Sequence, residues 1–298
     1  MTAPKIALVT AAAARDLDED LPPLADALRA QGTDFEIVNW DDVQTDWSQY
    51  RLAVLRSTWD YTARLGEFLD WTARASAATN LVNPLDVVRW NTDKHYLGDL
   101  ARAGVPAVAS HFIEPGEDAD TLLDRFLHKH ASAEFVVKPS VGAGSRDAQR
   151  HGREERAAAL AHAQRLLDAG RSVLLQPYLD RVDEHGETAL ILFDGEFSHA
   201  IRKGPLLRRG EGSTRALFAA EHITPRAPTA DELRVAQEAL AAIPFAKPLL
   251  YARVDLIRDG ADKPCVLELE LTEPSLFFTY AEGAAQRFAQ ALARRLPQ

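Results

Sequence analysis

Tyr251-Ala252-Arg253-Val254-Asp255-Leu256-Ile257 and Cys265-Val266-Leu267-Glu268-Leu269-Glu270-Leu271 are two alternating runs of apolar and polar residues joined by the polar connector Arg258 to Pro264. The alternation predicts an antiparallel hairpin. Strand side chains point to opposite faces in turn, so Arg253 and Asp255 share a face opposite Val254 and Leu256. Glu268 and Glu270 likewise oppose Leu267, Leu269 and Leu271. Closing the hairpin symmetrically pairs Ile257 with Val266 and sets Asp255 opposite Glu268 and Arg253 opposite Glu270. Like charges directly across a sheet are destabilising, so Asp255 facing Glu268 needs a compensating cation or a raised pKa. Three clustered hard oxygen ligands, with no thiolate and no histidine pair at metal spacing, suit Mg2+ better than Zn2+. Mg2+ keeps waters and is commonly completed by substrate phosphates, which points to a nucleotide. A solvated sheet face carrying an Arg–Glu pair is the other reading of the same residues.

Upstream, Phe135-Val136-Val137-Lys138-Pro139-Ser140-Val141-Gly142-Ala143-Gly144-Ser145 is a strand ending in a lysine, followed by a loop with two glycines. Such a loop can bring backbone N–H groups against phosphate oxygens while the lysine supplies a point charge. It matches neither Gly-x-x-x-x-Gly-Lys-Ser/Thr nor Gly-x-Gly-x-x-Gly, and on its own it reads as an ordinary turn.

The rest of the chain is that of an ordinary globular protein. Its 298 residues suffice for about two domains, and 46% hydrophobic with 26% charged residues argues against disorder or low complexity. With 34 Lys and Arg against 44 Asp and Glu, the net charge of −10 lacks the basic footprint of a general nucleic-acid binder. The single Cys265 asks for no oxidising compartment, so cytoplasm is expected, and it reads as a packing residue rather than a nucleophile. Ile6 to Val9 is too weakly flanked by positive charge for a signal peptide, and no apolar run is long enough to span a membrane.

Ile6–Thr10, Leu21–Ala30, Phe35–Trp40 and Leu52–Leu55 read strand, helix, strand, strand, an order that implies a parallel sheet with ligand sites at the carboxyl ends of its strands. The loop after the third strand, Arg56-Ser57-Thr58-Trp59-Asp60-Tyr61, is dense in polar and aromatic groups. Helices are expected at Phe68–Ala75, Asp93–Ala103, Thr121–His130, Glu154–Ala169, Asp231–Ala242 and Glu282–Leu296, and strands at Glu134–Lys138 and Val173–Tyr178. Asp194-Gly195 marks a hairpin between Thr188 and Ile201. Leu206 to Arg226 is expected to be a mobile loop.

The order of these features carries more than any one of them. Lys94 in Asn91-Thr92-Asp93-Lys94, Val137-Lys138-Pro139-Ser140 with its glycine loop, Leu175-Gln176-Pro177-Tyr178-Leu179, Gly186-Glu187, Ile201-Arg202-Lys203, then Arg253, Asp255, Glu268 and Glu270: this succession resembles the ATP-grasp superfamily of carboxylate–amine ligases. The resemblance implies an N-terminal α/β domain with a parallel sheet (residues 1–92), a central lobe (93–182) and a C-terminal lobe with the metal hairpin (183–298). The two α+β lobes would sandwich ATP. Lys94 and Lys138 would contact phosphates, Gly142, Ala143, Gly144 and Ser145 would form the flap over the γ-phosphate, and Gln176, Tyr178 and Leu179 would meet the adenine at the hinge. Glu187 would hold the ribose. Asp255, Glu268 and Glu270 would hold one or two Mg2+ ions, although the superfamily often has Asn where Glu270 stands. Arg253, Arg202 and Lys203 would offset charge on the transferring phosphoryl group and the carboxylate being activated.

Phosphorylating a carboxylate to an acyl phosphate needs positioned anions and offset charge more than a protein nucleophile, in keeping with the absence of a histidine triad. His95 and His199 are weaker candidates for substrate contact. Within the superfamily the chain is similar, through Arg56 to Tyr61 and Leu271-Thr272-Glu273-Pro274-Ser275-Leu276-Phe277-Phe278 among other stretches, to the cyclo-ligases of D-cycloserine biosynthesis, which close O-ureido-D-serine into a ring. That similarity implies intramolecular attack on the acyl phosphate with release of ADP, phosphate, carbon dioxide and ammonia, in a small pocket lined by Arg56, Tyr61 and Ser275. An intermolecular amino-acid ligase and a non-catalytic ATP-binding protein are the alternatives. The expected partners are a small amino-acid-like substrate and, as the commonest symmetric assembly, a second copy in a homodimer, with neither nucleic acid nor membrane.

Overall fold

Three sheets from three successive stretches of chain organise the computed structural model, which describes residues 5–207, 209–210, 222–245 and 249–296. The first sheet holds β1 (Lys5–Thr10), β2 (Asp34–Asn39), β3 (Leu52–Ser57) and β4 (Asn80–Val82), all parallel in the order β2-β1-β3-β4. The inner strands are unbroken apolar runs because helices cover both faces. Helix α1 (Leu21–Ala30) lies on one face, and α2 (Leu65–Ala78) on the other brings Phe68 and Trp71 against Trp40 and Tyr61.

After α3 (Leu85–Asn91) and α4 (Tyr96–Arg102), the second sheet is antiparallel: β5 (His111–Ile113), β6 (Glu134–Pro139), β7 (Gln149–Gly152) and β8 (Val173–Pro177), in the order β5-β8-β6-β7. Helices α5 (Ala119–Lys129) and α6 (Arg156–Asp168) cover one face. Beyond the short α7 (Val182–His185), the third sheet comprises β9 (Glu187–Phe193), β10 (Glu196–Lys203), β11 (Ile223–Pro225), β12 (Tyr251–Arg258) and β13 (Pro264–Glu270), ordered β11-β10-β9-β12-β13. Helix α8 (Ala230–Ala242) packs on β12 and β13. The closing α9 (Ala284–Arg295) returns to α1, so the last helix completes the core of the first sheet.

Most expected elements are present, with informative differences. Strands β4, β5, β7 and β11 have three or four residues each, too few for alternation to register. The helix expected over Asp93–Ala103 starts at Tyr96, because the Asn91-to-His95 turn docks on the second sheet through Lys94 N–H to Ser140 O at 3.0 Å. Of the expected loop Leu206–Arg226, residues 223–225 form an edge strand on β10, while 208 and 211–221 lie outside the described residues. Asp194 (φ 51°) and Gly195 (φ 82°) adopt the left-handed conformations that a two-residue hairpin turn needs.

Two asparagines join the first unit to the acidic hairpin. Asn83 donates to Tyr251 O and Leu271 O and accepts from Leu250 N–H, while Asn91 donates to Leu269 O and accepts from Leu271 N–H. Both amides are buried, so these satisfied groups fix how the first sheet abuts the third. No helix among the described residues is long and apolar enough to cross a membrane.

Candidate functional site

The hairpin pairs Asp255 with Glu268 and Arg253 with Glu270, as alternation predicts, but Ile257 pairs with Cys265 instead of Val266. Leu267 is the extra residue of a β-bulge. Its effect is to turn Leu267 and Glu268 to the same side, into the large cavity between the sheets, while Val266 and Leu269 stay in the core. The expectation that Leu267 would share the core face with Leu269 is therefore corrected by the bulge.

The cavity measures about 600 Å³ and has three regions. One end is an apolar slot walled by Val136, Leu179, Val182, Ile257 and Leu267. Gln176 and Tyr178 border it: Gln176 is anchored by its Nε2 donating to Ser110 Oγ at 2.9 Å, and Tyr178 lies under the Arg150 guanidinium, 3.5 Å from the ring centre.

The middle region gathers the charges. Lys94 reaches Glu268 at 2.9 Å and donates to Gly142 O at 2.8 Å. Lys203 contacts Asp255 at 2.7 Å and also pairs with Glu187. Arg253 donates to both Asp255 oxygens, at 2.9 and 2.8 Å, and pairs with Glu270. The cation that the facing Asp255 and Glu268 require is thus supplied three times over. Burial opposes Asp255's charge, but Arg253 and Lys203 outweigh it and hold the carboxyl well below the usual range. Burial pushes Glu270 up, with Glu268 and Asp255 adding to the push against Arg253. Lys138 borders the same region, its pKa brought down to about 8 by burial and the nearby Lys94 and Lys203, against Glu268.

The loop from Gly142 to Ser145 also faces the cavity. Gly144 (φ 61°) and Ser145 (φ 56°) are both left-handed, which turns the loop sharply over the lysines. Arg171 ties down its base, donating to Val141 O at 3.2 Å and Asp147 at 2.6 Å.

The third region lies where the first sheet meets the hairpin, lined by Tyr61, Glu273, Ser275 and Asp20. Its wall is the segment after β13, held carbonyl by carbonyl. Tyr251 Oη donates to Thr272 O at 2.8 Å, Trp59 Nε1 to Glu273 O at 3.0 Å, Arg56 to Pro274 O at 3.3 Å and Arg253 to Ser275 O at 3.2 Å. His199 Nε2 meets Leu276 O at 2.8 Å. On the amide side, the Asp20 carboxylate accepts from the N–H groups of Leu276, Phe277 and Phe278, at 2.5, 3.1 and 2.8 Å. Five side chains from β3, its following loop, β10 and β12, together with a carboxylate ahead of α1, specify this strap.

The expected residues fall into place unequally. Lys94, Lys138, Lys203, Gly142 to Ser145, Gln176, Tyr178, Leu179, Glu187, Arg253, Glu268, Glu270, Tyr61 and Ser275 all border the one cavity. Arg202 does not: being next to Lys203 on a strand it points the other way, donating to His185 O and Glu184 O at 2.8 and 2.9 Å. Arg56 is wholly buried behind the strap, not on the pocket wall. Asp255, 1% exposed, stands behind Glu268 and Glu270. Glu187 pairs with Lys203, which places it beside the charges rather than at the apolar slot. His95 bonds Asp93 and Glu114 away from the cavity, and His199 serves the strap. Glu273, Asp18 and Asp20 were not singled out. Glu273 lies within the Leu271-to-Phe278 stretch, and Asp18 and Asp20 lie in irregular backbone ahead of α1, where no periodicity marks a side chain as facing a cavity.

Among the described residues, no three His, Cys, Asp or Glu side chains converge as a preformed metal cage. The donor chemistry nevertheless fits Mg2+: Glu268 and Glu270 present partly exposed carboxylates to the cavity, hard oxygen donors of the kind that cation takes.

Residues 6–83 match the family model described as the N-terminal domain of D-cycloserine synthetase DcsG. Over 296 residues, 98% of each chain, the sequence is 44% identical to the cycloserine biosynthesis protein DcsG of Streptomyces lavendulae. The crystal structure of D-cycloserine synthetase DcsG superposes with a TM-score of 0.92 at 43% identity, covering 98% of this chain and 100% of that one. D-alanine–D-alanine ligase from Bacillus anthracis matches at a TM-score of 0.70 and 14% identity, covering 98% of this chain and 99% of the other. The ATP-grasp ligase PsnB with its minimal precursor matches at 0.66 and 17%, covering 99% and 100%. These last two share the fold.

Proposed function

This chain belongs to the D-cycloserine synthetase family of ATP-grasp ligases, and from that membership we propose that it closes O-ureido-D-serine to D-cycloserine at the expense of ATP. The observation that carries the reading is the continuity of the cavity: the lysines, the glycine loop and the acidic hairpin open into the same space as Tyr61, Glu273 and Ser275. A small carboxylate held against the strap therefore lies beside the phosphate-binding groups. A nitrogen of the same molecule serves as nucleophile, so no second amine needs entry.

In this reading the adenine occupies the apolar slot beside Gln176, Tyr178 and Leu179, and Lys94, Lys138 and Lys203 take the phosphates under the Gly142-to-Ser145 flap. Glu268 and Glu270 hold Mg2+, with Asp255 behind them balancing Lys203 and Arg253. The metal, when bound, offsets charge on the phosphoryl oxygens. Arg253 faces the charge that develops when the substrate carboxylate attacks the γ-phosphate. We assign the reaction to the cytoplasm, where the buried free thiol of Cys265 stays reduced, and its partners to small molecules.

Ring product formed together with ADP from O-ureido-D-serine, ATP and Mg2+, and not from the L-enantiomer, is the expected result. ADP release only with a pair of amino acids would replace it with an intermolecular ligase. ATP affinity tests the phosphate assignment separately. Lys138 attracts phosphate only when protonated, and its pKa of about 8 means that raising the pH through this value discharges it. ATP binding measured by calorimetry is expected to weaken as pH rises above 8. Lys138→Ala is expected to bind ATP at least about tenfold more weakly at pH 7, each tenfold being about 1.4 kcal/mol, and to lose that pH dependence. Unchanged affinity would remove Lys138 from the phosphate site.

A further inference from the structure

We propose that Glu273 is the proton acceptor for the attacking nitrogen, held at the reacting centre by the strap of residues 272–278 with Tyr61 beside it. The inference rests on the ring-closing reading above. That reaction needs a base, because the ureido nitrogen carries a proton that must leave as its bond to carbon forms. The nitrogen lone pair makes the N–C bond at the acyl carbon, the N–H proton passes to the Glu273 carboxylate, and the acyl C–O bond breaks with its electron pair leaving on phosphate. The proton then passes from Glu273 to water.

The geometry singles out this carboxylate. Glu273 lines the third region of the cavity, where its carboxyl accepts from the Tyr61 phenol, and its neighbours are engaged elsewhere: Asp18 with the Asp20 N–H at 3.0 Å and beside Arg56, Asp255 with Arg253 and Lys203, Glu187 with Lys203, Glu268 with Lys94, Glu270 with Arg253, and Asp20 with the strap amides, while Glu19 is exposed. Facing Glu273 are the Tyr61 phenol from the loop after β3, Glu268 and Glu270 from β13, Lys94 from the turn before α4, and the Tyr251 phenol from β12. The strap carbonyl of residue 273 is itself fixed by Trp59, and those on either side by Tyr251 and Arg56, so the base is positioned by backbone restraints as well as by packing. Burial first, then Glu270, pushes its carboxyl up to about 8 against Tyr61 and Lys94. The Tyr61 phenol, raised well above 10 by its own burial and by Glu273, stays neutral throughout.

Single-turnover assays at saturating ATP separate the two half-reactions, with hydroxylamine trapping the acyl phosphate as a hydroxamate. Glu273→Gln is expected to slow ring closure about a hundredfold while leaving trapped acyl phosphate and the ADP burst within about threefold of wild type. Tyr61→Phe, which removes the phenol beside Glu273, is expected to slow closure several-fold with trapping unchanged. Where Glu273→Gln does not fold, Glu273→Asp serves: it keeps the charge but shortens the reach, and at least tenfold slower closure with unchanged trapping is expected. Closure within threefold of wild type in these Glu273 variants, or equal loss of trapping and closure, overturns the proposal. A wild-type enzyme that traps acyl phosphate yet never forms the ring overturns the ring-closing reading and this inference with it, whereas a ring formed equally by wild type and variant overturns this inference alone.

Discussion

Glu268→Gln is expected to lower ADP release at least about a thousandfold while the melting temperature moves by only a few degrees. The asymmetry follows from the contacts of the side chain. Glu268 is partly exposed to the cavity and meets Lys94 at 2.9 Å, a contact that a glutamine oxygen can still accept. The core beneath it is made by Val266, Leu269 and Val254, which the substitution leaves alone. Binding Mg2+ is different, since a neutral amide is a much poorer ligand than a carboxylate for a hard cation. A metal that offsets phosphoryl charge supplies several kcal/mol at the transition state, and about 4 kcal/mol corresponds to a thousandfold. Turnover measured across a Mg2+ titration checks this. Full activity at limiting Mg2+ would show that the hairpin is not the metal site.

The part of the site written in local pattern is the part that sequence reading reaches. Asp255 opposite Glu268 and Arg253 opposite Glu270 follow from a period of two and one assumed turn, and both pairs are present. The bulge at Leu267 is invisible to that reasoning, because nothing in Val-Leu-Glu-Leu-Glu says that two residues face one. Arg202 is a different lesson. It adjoins Lys203 on a strand, so the same period of two that organised the hairpin already forbids both from facing the cavity, and motif order overrode it. The strap was out of reach for another reason. Arg56 and Pro274, or Asp20 and Phe278, are more than 200 residues apart, and each contact exists only because β3, the strand-to-helix loop before α1 and the segment after β13 converge. Side-chain donors to irregular backbone have no periodicity, so Arg56 reads equally as a substrate contact and as a structural one. Its burial decides the matter.

That convergence also locates the largest stability effect. Asp20→Ala is expected to destabilise the protein by about 3–5 kcal/mol, which for a chain of this size lowers the melting temperature by roughly 10 °C. The Asp20 carboxylate is 4% exposed and satisfies three successive N–H groups, and Arg56 lies 3.6 Å from it with no exposure at all. Alanine therefore strands three backbone donors and removes a countercharge from a guanidinium whose Nε and Nη1 have no hydrogen-bond partner among the described residues. Asp18, the other carboxylate near Arg56, limits the cost without matching the geometry. Asp20→Asn keeps an acceptor oxygen but not the charge, and is expected to lose about half as much. Because the strap carries Glu273, the alanine variant should retain ATP affinity while ring closure slows, a split that simple global unfolding would not produce below the melting transition. A melting temperature within 2 °C of wild type would mean that the strap is held by its carbonyl contacts alone, and the Asp20 amide contacts would then be incidental to the site.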